Sequence, residues 1–143
     1  MKELKPFLLV DDSAKDRELI MEALQENHIS NRIDEARDGE EALDYLFRRG
    51  GFADRAPENP SVVLLDIKMP KVDGLEVLKQ IRADEQLKMI PVVILTSSRE
   101  QSDLIKGYEL GVNAFVVKPL DFNEFFDAVK QLGVFWAVLN ETL

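Results

Sequence analysis

The chain contains no cysteine. Disulfide staples and thiolate metal sites are therefore excluded, and the absence fits a reducing compartment. There is a single histidine, His28, so any metal must be held through oxygen. His28 falls at the end of a helical pattern, where a solvated or helix-terminal role is expected. No apolar run approaches the roughly 20 residues that span a bilayer. The longest covers residues 132–139, and no membrane association is expected. The N-terminus lacks the apolar core and small-residue cleavage site of a signal peptide, so the expected location is cytoplasmic. No basic cluster exceeds Arg48-Arg49, and 18 basic residues face 27 acidic ones for a formal charge of −9. That balance argues against a nucleic-acid surface.

What the chain does have is length for one core. Its 143 residues, 45% hydrophobic and 31% charged, suit one domain over 1–143. A chain of this size buries roughly 68% of its unfolded surface. Four short apolar runs each stop on a polar residue of a kind that handles phosphate or metal. Phe7-Leu8-Leu9-Val10 stops on Asp11-Asp12, and Val62-Val63-Leu64-Leu65 on Asp66. Val92-Val93-Ile94-Leu95 stops on Thr96, and Phe115-Val116-Val117 on Lys118.

The runs alternate with helical patterns, which predicts βαβ units and a parallel sheet. Strands are expected near 6–10, 31–36, 61–66, 91–96 and 114–118. The first helix is expected near 14–27, capped by Ser13 or Asp12, with Ile20, Ala23 and Leu24 inward. Asp38-x-x-Glu41 predicts a capping box for the second, with Gly39, Ala42, Leu43 and Leu46 inward. The third, near 73–83, turns Gly74, Val77, Leu78 and Ile81 inward. Ser98-x-x-Gln101 opens the fourth, to about Leu110, and Asp121-x-x-Glu124 the fifth, to about Leu139. Arg48 to Pro60 exceeds the roughly 2–6 residues of a usual connection and is read as one long exposed loop. The expected architecture is a doubly wound α/β, flavodoxin-like (βα)5 sandwich. Its sheet order is 2-1-3-4-5, with the weaker runs near 31–36 and 114–118 outermost. Ligands of such sheets bind at the carboxyl ends of the strands, at the switch point between strands one and three.

Taken singly, each residue has a local reading. Asp11-Asp12 could cap a helix, Asp66 could start a turn, Thr96 could end a strand, and Lys118 could be a solvated loop lysine. The conjunction of four strand ends outweighs these. Carboxylates about 4 Å apart repel by about 4 kcal/mol at an effective dielectric of about 20, so three in one crevice call for a cation. Mg²⁺ suits oxygen ligands and keeps its waters, with Mn²⁺ as an alternative. A metal-bridged carboxylate can also accept phosphoryl, and Asp66, closing the most apolar run with Pro70 and Gly74 behind it, is the natural acceptor.

Val10-Asp11-Asp12-Ser13, Leu65-Asp66-x-x-Met69-Pro70-x-x-Asp73-Gly74, Ile94-Leu95-Thr96-Ser97 and Val117-Lys118-Pro119 together resemble the receiver domain of two-component response regulators. The resemblance covers nearly the whole chain. It implies that a sensor histidine kinase donates phosphoryl to Asp66. It implies Mg²⁺ held by Asp11, Asp12, Asp66 and the backbone carbonyl of Lys68. It places the Thr96 hydroxyl and the Lys118 ammonium on the phosphoryl oxygens, Phe115 as the rotating aromatic, and a cis Lys118–Pro119 bond. Phosphorylation would draw in Thr96, let Phe115 turn inward and reshape the face of fourth helix, fifth strand and fifth helix. Phe115 lacks a tyrosine's hydroxyl, so readout through that group is absent. Lys68 is expected to reach the phosphoryl group and hinder water; unchanged dephosphorylation in Lys68→Ala would refute this.

The last helical pattern carries Phe122, Phe125, Phe126, Val129, Leu132 and Trp136 as an inward stripe, and Val134, Phe135, Ala137, Val138 and Leu139 extend it around the cylinder. That predicts a homodimer through the same face, with Ile105 and Tyr108, against the simpler reading of an extended core contact. The ending at Leu143 leaves no expected output domain. The 48–60 loop and Phe135-Trp136 further resemble the stand-alone regulators that serve bacterial phytochrome kinases. The rival function is a Mg²⁺-dependent phosphohydrolase working through an aspartyl phosphate. Such enzymes place an acid–base aspartate two residues after the nucleophile, where this chain has Lys68, so no enzymatic turnover beyond self-phosphorylation and self-dephosphorylation is expected.

Overall fold

The computed structural model describes residues 5–26, 29–56, 58–96, 101–118 and 123. Within them the elements are β1 (Phe7–Val10), α1 (Ala14–Glu26), β2 (Ile33–Ala36), α2 (Gly39–Phe47), a 3₁₀ turn (Gly50–Phe52), β3 (Val62–Leu65), α3 (Gly74–Ala83), β4 (Val92–Thr96), α4 (Gln101–Glu109) and β5 (Ala114–Val117). The fifth helix, with its Phe122 to Leu139 stripe, lies outside the described residues. So do His28, the Ser98 cap and the Lys118–Pro119 bond.

All five strands are parallel, in the order β2-β1-β3-β4-β5. This is the expected doubly wound arrangement. β1 and β3 are buried at every position. That is why their sequences are uninterrupted apolar runs rather than alternating ones. The strand period of two still sorts their side chains. Leu8, Val10, Val63, Leu65, Val92 and Ile94 join α2 and α3 in one core. Phe7, Leu9, Val62, Leu64, Val93 and Leu95 join Ile20 and Leu24 of α1 in the other. β2 and β5, at the edges, are less buried, as their weaker patterns predicted.

Local chemistry sets the helix starts. The Ser13 hydroxyl accepts from the Asp16 amide at 3.1 Å, so Ser13 and not Asp12 caps α1. Asp38 accepts from the Glu41 amide at 2.8 Å, as expected, but the reciprocal half of the capping box is absent. Glu41 instead accepts from the amide of Arg37, one residue earlier, and binds its guanidinium. Asp73 caps α3 through the Glu76 amide at 2.9 Å.

The 48–60 segment departs from the expected exposed loop. It holds the 3₁₀ turn, and Phe52 packs edge-on to Tyr45 with ring centroids 5.4 Å apart. Arg55 lies 4.0 Å over the Tyr45 ring and donates to the carbonyls of Tyr45 and Glu58. Pro60 is buried. Composition suggested solvent; a stacked guanidinium and an aromatic pair hold the segment against α2 instead.

Candidate phosphoryl and metal site

Register brings the site together. Val10 pairs with Leu65 across β1 and β3, so Asp11 and Asp66 leave the sheet at the same level. The Asp66 amide donates to Val10 O at 3.0 Å, and the Asp11 amide to Ala36 O at 3.1 Å. Thr96 ends β4 opposite Val117, one residue before Lys118; its hydroxyl lies outside the described part of the structure. Behind Asp66 the chain turns back, with Lys71 in the left-handed region at φ 67° and the Gly74 amide on Ile67 O at 2.8 Å. A β-carbon on Gly74 would overlap the Asp66 carbonyl oxygen, so only glycine lets α3 start this close.

Asp11, Asp12 and Asp66 each offer a carboxylate oxygen, and these lie within 4.8 Å of one another. Asp11 and Asp66 are buried and Asp12 is exposed. Asp11 Oδ1 accepts from the Ser13 amide at 2.9 Å, and Asp66 Oδ1 from the Ile67 amide at 2.8 Å. Each uses one oxygen to fix its orientation and turns the other into the crevice. Lys118 Nζ meets those free oxygens, 2.5 Å from Asp11 Oδ2 and 3.2 Å from Asp66 Oδ2. Asp11 Oδ2 is buried and receives no well-directed hydrogen bond, so the ammonium is only a charge contact for it. An orphaned buried carboxylate oxygen beside two further carboxylates is a donor set fit for a hard divalent cation.

Burial pushes the Asp66 carboxyl above its ordinary range; Lys118 pulls it back and Asp11 pushes it further up. Burial alone would lower Lys118, but the carboxylates around it outweigh that and raise it, so it stays charged. A desolvated carboxylate beside a fixed ammonium is suited to receive a group whose negative charge that ammonium can share.

Two site residues were not anticipated. Asp16, in the first turn of α1, places Oδ2 3.0 Å from Lys118 Nζ. Arg17 donates to the Asp11 carbonyl at 2.7 Å and to Glu35 at 3.0 Å, bracing the β1–α1 turn. Neither has a spacing signal, because the partners are set by topology. Lys68 follows Ile67 on the exposed rim. Phe115 is half-buried, with its ring against Gly107 and edge-on to Tyr108 at 5.1 Å.

The sequence matches the response regulator receiver domain over residues 7–130. The chain belongs to that family. The receiver is 57% identical to the bacteriophytochrome response regulator AtBRR, with a TM-score of 0.89 over 97% of this chain and 99% of that one. It is 41% identical over 140 residues to the probable methanogenesis regulatory protein FilR2 of Methanothrix harundinacea, covering 96% of this chain and 88% of the relative. It is 39% identical over 132 residues to response regulator Rcp1 of Synechocystis, covering 92% and 88% respectively. The Mn²⁺-bound form of Rcp1 matches at 37% identity and a TM-score of 0.76, over 94% of this chain and 96% of that one. Receiver domains of this type are signalling proteins whose own chemistry is self-phosphorylation and self-dephosphorylation, and they bind divalent metal at an acidic pocket. Among the described residues, no helix is long and apolar enough to cross a membrane.

Proposed function

We propose that Asp66 accepts a phosphoryl group from a sensor histidine kinase and that the resulting aspartyl phosphate switches partner binding. The observation that carries this is the carboxylate trio within 4.8 Å, with Lys118 Nζ 3.2 Å from Asp66. An Asp66 carboxylate oxygen bonds to phosphorus as the phosphorus–nitrogen bond of the donor phosphohistidine breaks, leaving an acyl phosphate and a free imidazole. Asp11, Asp12 and Asp66, with the backbone carbonyl of Lys68, would hold Mg²⁺, which supplies charge neutralisation to the transferring group. Lys118 shares that charge from the other side. The Thr96 hydroxyl is assigned to the phosphoryl oxygens, and Phe115 follows it inward.

The output is a change in the face built from α4, β5 and the C-terminal helix pattern, with homodimerisation through it. Supporting this, Ile105 and Tyr108 of α4 are 51% and 62% exposed, and Tyr108 packs edge-on to Phe115. A phytochrome kinase is the proposed donor, supported by the similarity to AtBRR and Rcp1. The cytoplasm is the proposed location, because ATP charges such kinases there. Incubation with MgCl₂ and acetyl phosphate, followed by intact-mass measurement, tests the acceptor. Wild type should gain one phosphoryl group and Asp66→Asn none; a gain in both would place the acceptor elsewhere.

A further inference from the structure

Lys118 carries three N–H donors, and three carboxylates face it. Asp11 lies at 2.5 Å, Asp16 at 3.0 Å and Asp66 at 3.2 Å. Two of these belong to strand ends of the acidic trio. The third, Asp16, comes from α1 and is not a member of that trio. Its bland role would be to complement the N-terminus of α1. That role asks nothing of its side chain beyond facing the first turn. Here the carboxylate reaches a residue 102 positions away, while the Asp16 backbone amide alone completes the Ser13 cap.

We propose that Asp16 is a positioning residue that competes with the phosphoryl group for Lys118 and so restrains phosphorylation. This rests on the reading of Asp66 as acceptor. The bound phosphoryl group brings about −1.5 to −2 charges and three acceptor oxygens. Lys118 hydrogen-bonds Asp16 and Asp66, with Asp11 as a charge contact, so turning toward the phosphoryl oxygens draws the ammonium off a hydrogen bond it now makes. Asp66 transfers its own charge to the new group, and Asp11, 1% exposed, would keep the cation as its counter-charge. Asp16 is 37% exposed, and water can take over its lone pairs. It is therefore the contact that yields, and holding it favours the unphosphorylated state. Its charge also stands against the incoming dianion.

Removing the charge while keeping the shape should release the lysine. The contact is an ion pair with one half-exposed partner, a class that corresponds to roughly a two- to five-fold effect. Wild type, Asp16→Asn, Lys118→Gln and the double variant are incubated with acetyl phosphate at saturating MgCl₂, and the phosphorylated fraction is followed by intact mass. Asp16→Asn should phosphorylate roughly two- to five-fold faster than wild type, and beryllofluoride binding, read by fluorine NMR, should tighten by a similar factor. In the Lys118→Gln background the Asp16→Asn change should alter neither. Loss of a merely structural carboxylate would lower the melting temperature without accelerating anything. Equal or slower phosphorylation of Asp16→Asn, or the same acceleration without Lys118, overturns the inference and leaves the acceptor reading standing. Absence of phosphorylation in wild type overturns both.

Discussion

Replacing Asp66 with asparagine should make the metal-free protein more stable. At an effective dielectric of about 20, unit charges 4.8 Å apart interact by about 3.5 kcal/mol. Asp66 faces two such carboxylates, a repulsion of about 7 kcal/mol, against about 5 kcal/mol of attraction to Lys118 at 3.2 Å. Burial acts in the same direction as the repulsion. Solvent screening at exposed Asp12 trims the difference to about 1–2 kcal/mol in favour of a neutral side chain. The sign follows from the raised carboxyl. Its stabilising protonated form is complete below the unfolded value of 3.8 and is lost as pH rises through the folded one. Above the folded value wild type bears the whole cost, and an amide bears none at any pH. The amide also keeps an oxygen for the Ile67 amide. Thermal melts in EDTA at pH 7 should place Asp66→Asn about 3–7 °C above wild type. Saturating MgCl₂ should reverse the order, since a cation at 100 times its dissociation constant adds about 2.7 kcal/mol to wild type and less to a variant lacking one ligand. A lower melting temperature for Asp66→Asn in EDTA would refute the electrostatic account.

Gly74→Ala forces a β-carbon into the Asp66 carbonyl and should destabilise by about 3 kcal/mol or more, read by urea unfolding, with slower phosphorylation of what remains folded. Tyr45→Phe removes the 2.6 Å hydrogen bond to Asp34 and should cost about 1–2 kcal/mol in the same assay. Burial first, and Asp34 second, hold the Tyr45 phenol far above its ordinary value of 10.0. Stability linked to it is complete below that pH and is lost above it, so its ultraviolet ionisation step should coincide with alkaline unfolding and vanish in the variant. Arg82 donates to the carbonyls of Lys88, Ile90 and Gly111 and to the Asn113 side chain, so Arg82→Ala should cost about 2–3 kcal/mol, and Arg82→Lys should recover less than half.

The parts of this molecule legible in its sequence are those written in period and register. β1, β3 and β4 read as apolar runs because they are central and covered on both faces. The residues following β1, β3 and β5 meet because parallel strands in register end together, so Asp11, Asp12, Asp66 and Lys118 could be gathered from the sequence. Contacts made by long side chains with distant backbone were not legible. Arg17 on Asp11 O, Arg55 on Tyr45 O and Arg82 on Gly111 O leave no periodic trace, and the Lys118–Asp16 pair joins residues 102 apart. The 48–60 segment misled for a related reason. Its glycines, prolines and charges describe solvent exposure on average, while two residues in it, Phe52 and Arg55, decide where it lies.

β2 has a consequence beyond closing one side of the sheet. Its outer margin offers unpaired amides and carbonyls to any neighbouring molecule, the usual template for runaway stacking of one chain on the next. Arg32 and Asp34 are tied to each other, Asp34 also to Tyr45, and Glu35 to Arg17. An incoming strand would have to strip water from these charges or break their ties. The same ladder of ion pairs that anchors the strand thus guards it against fibril growth.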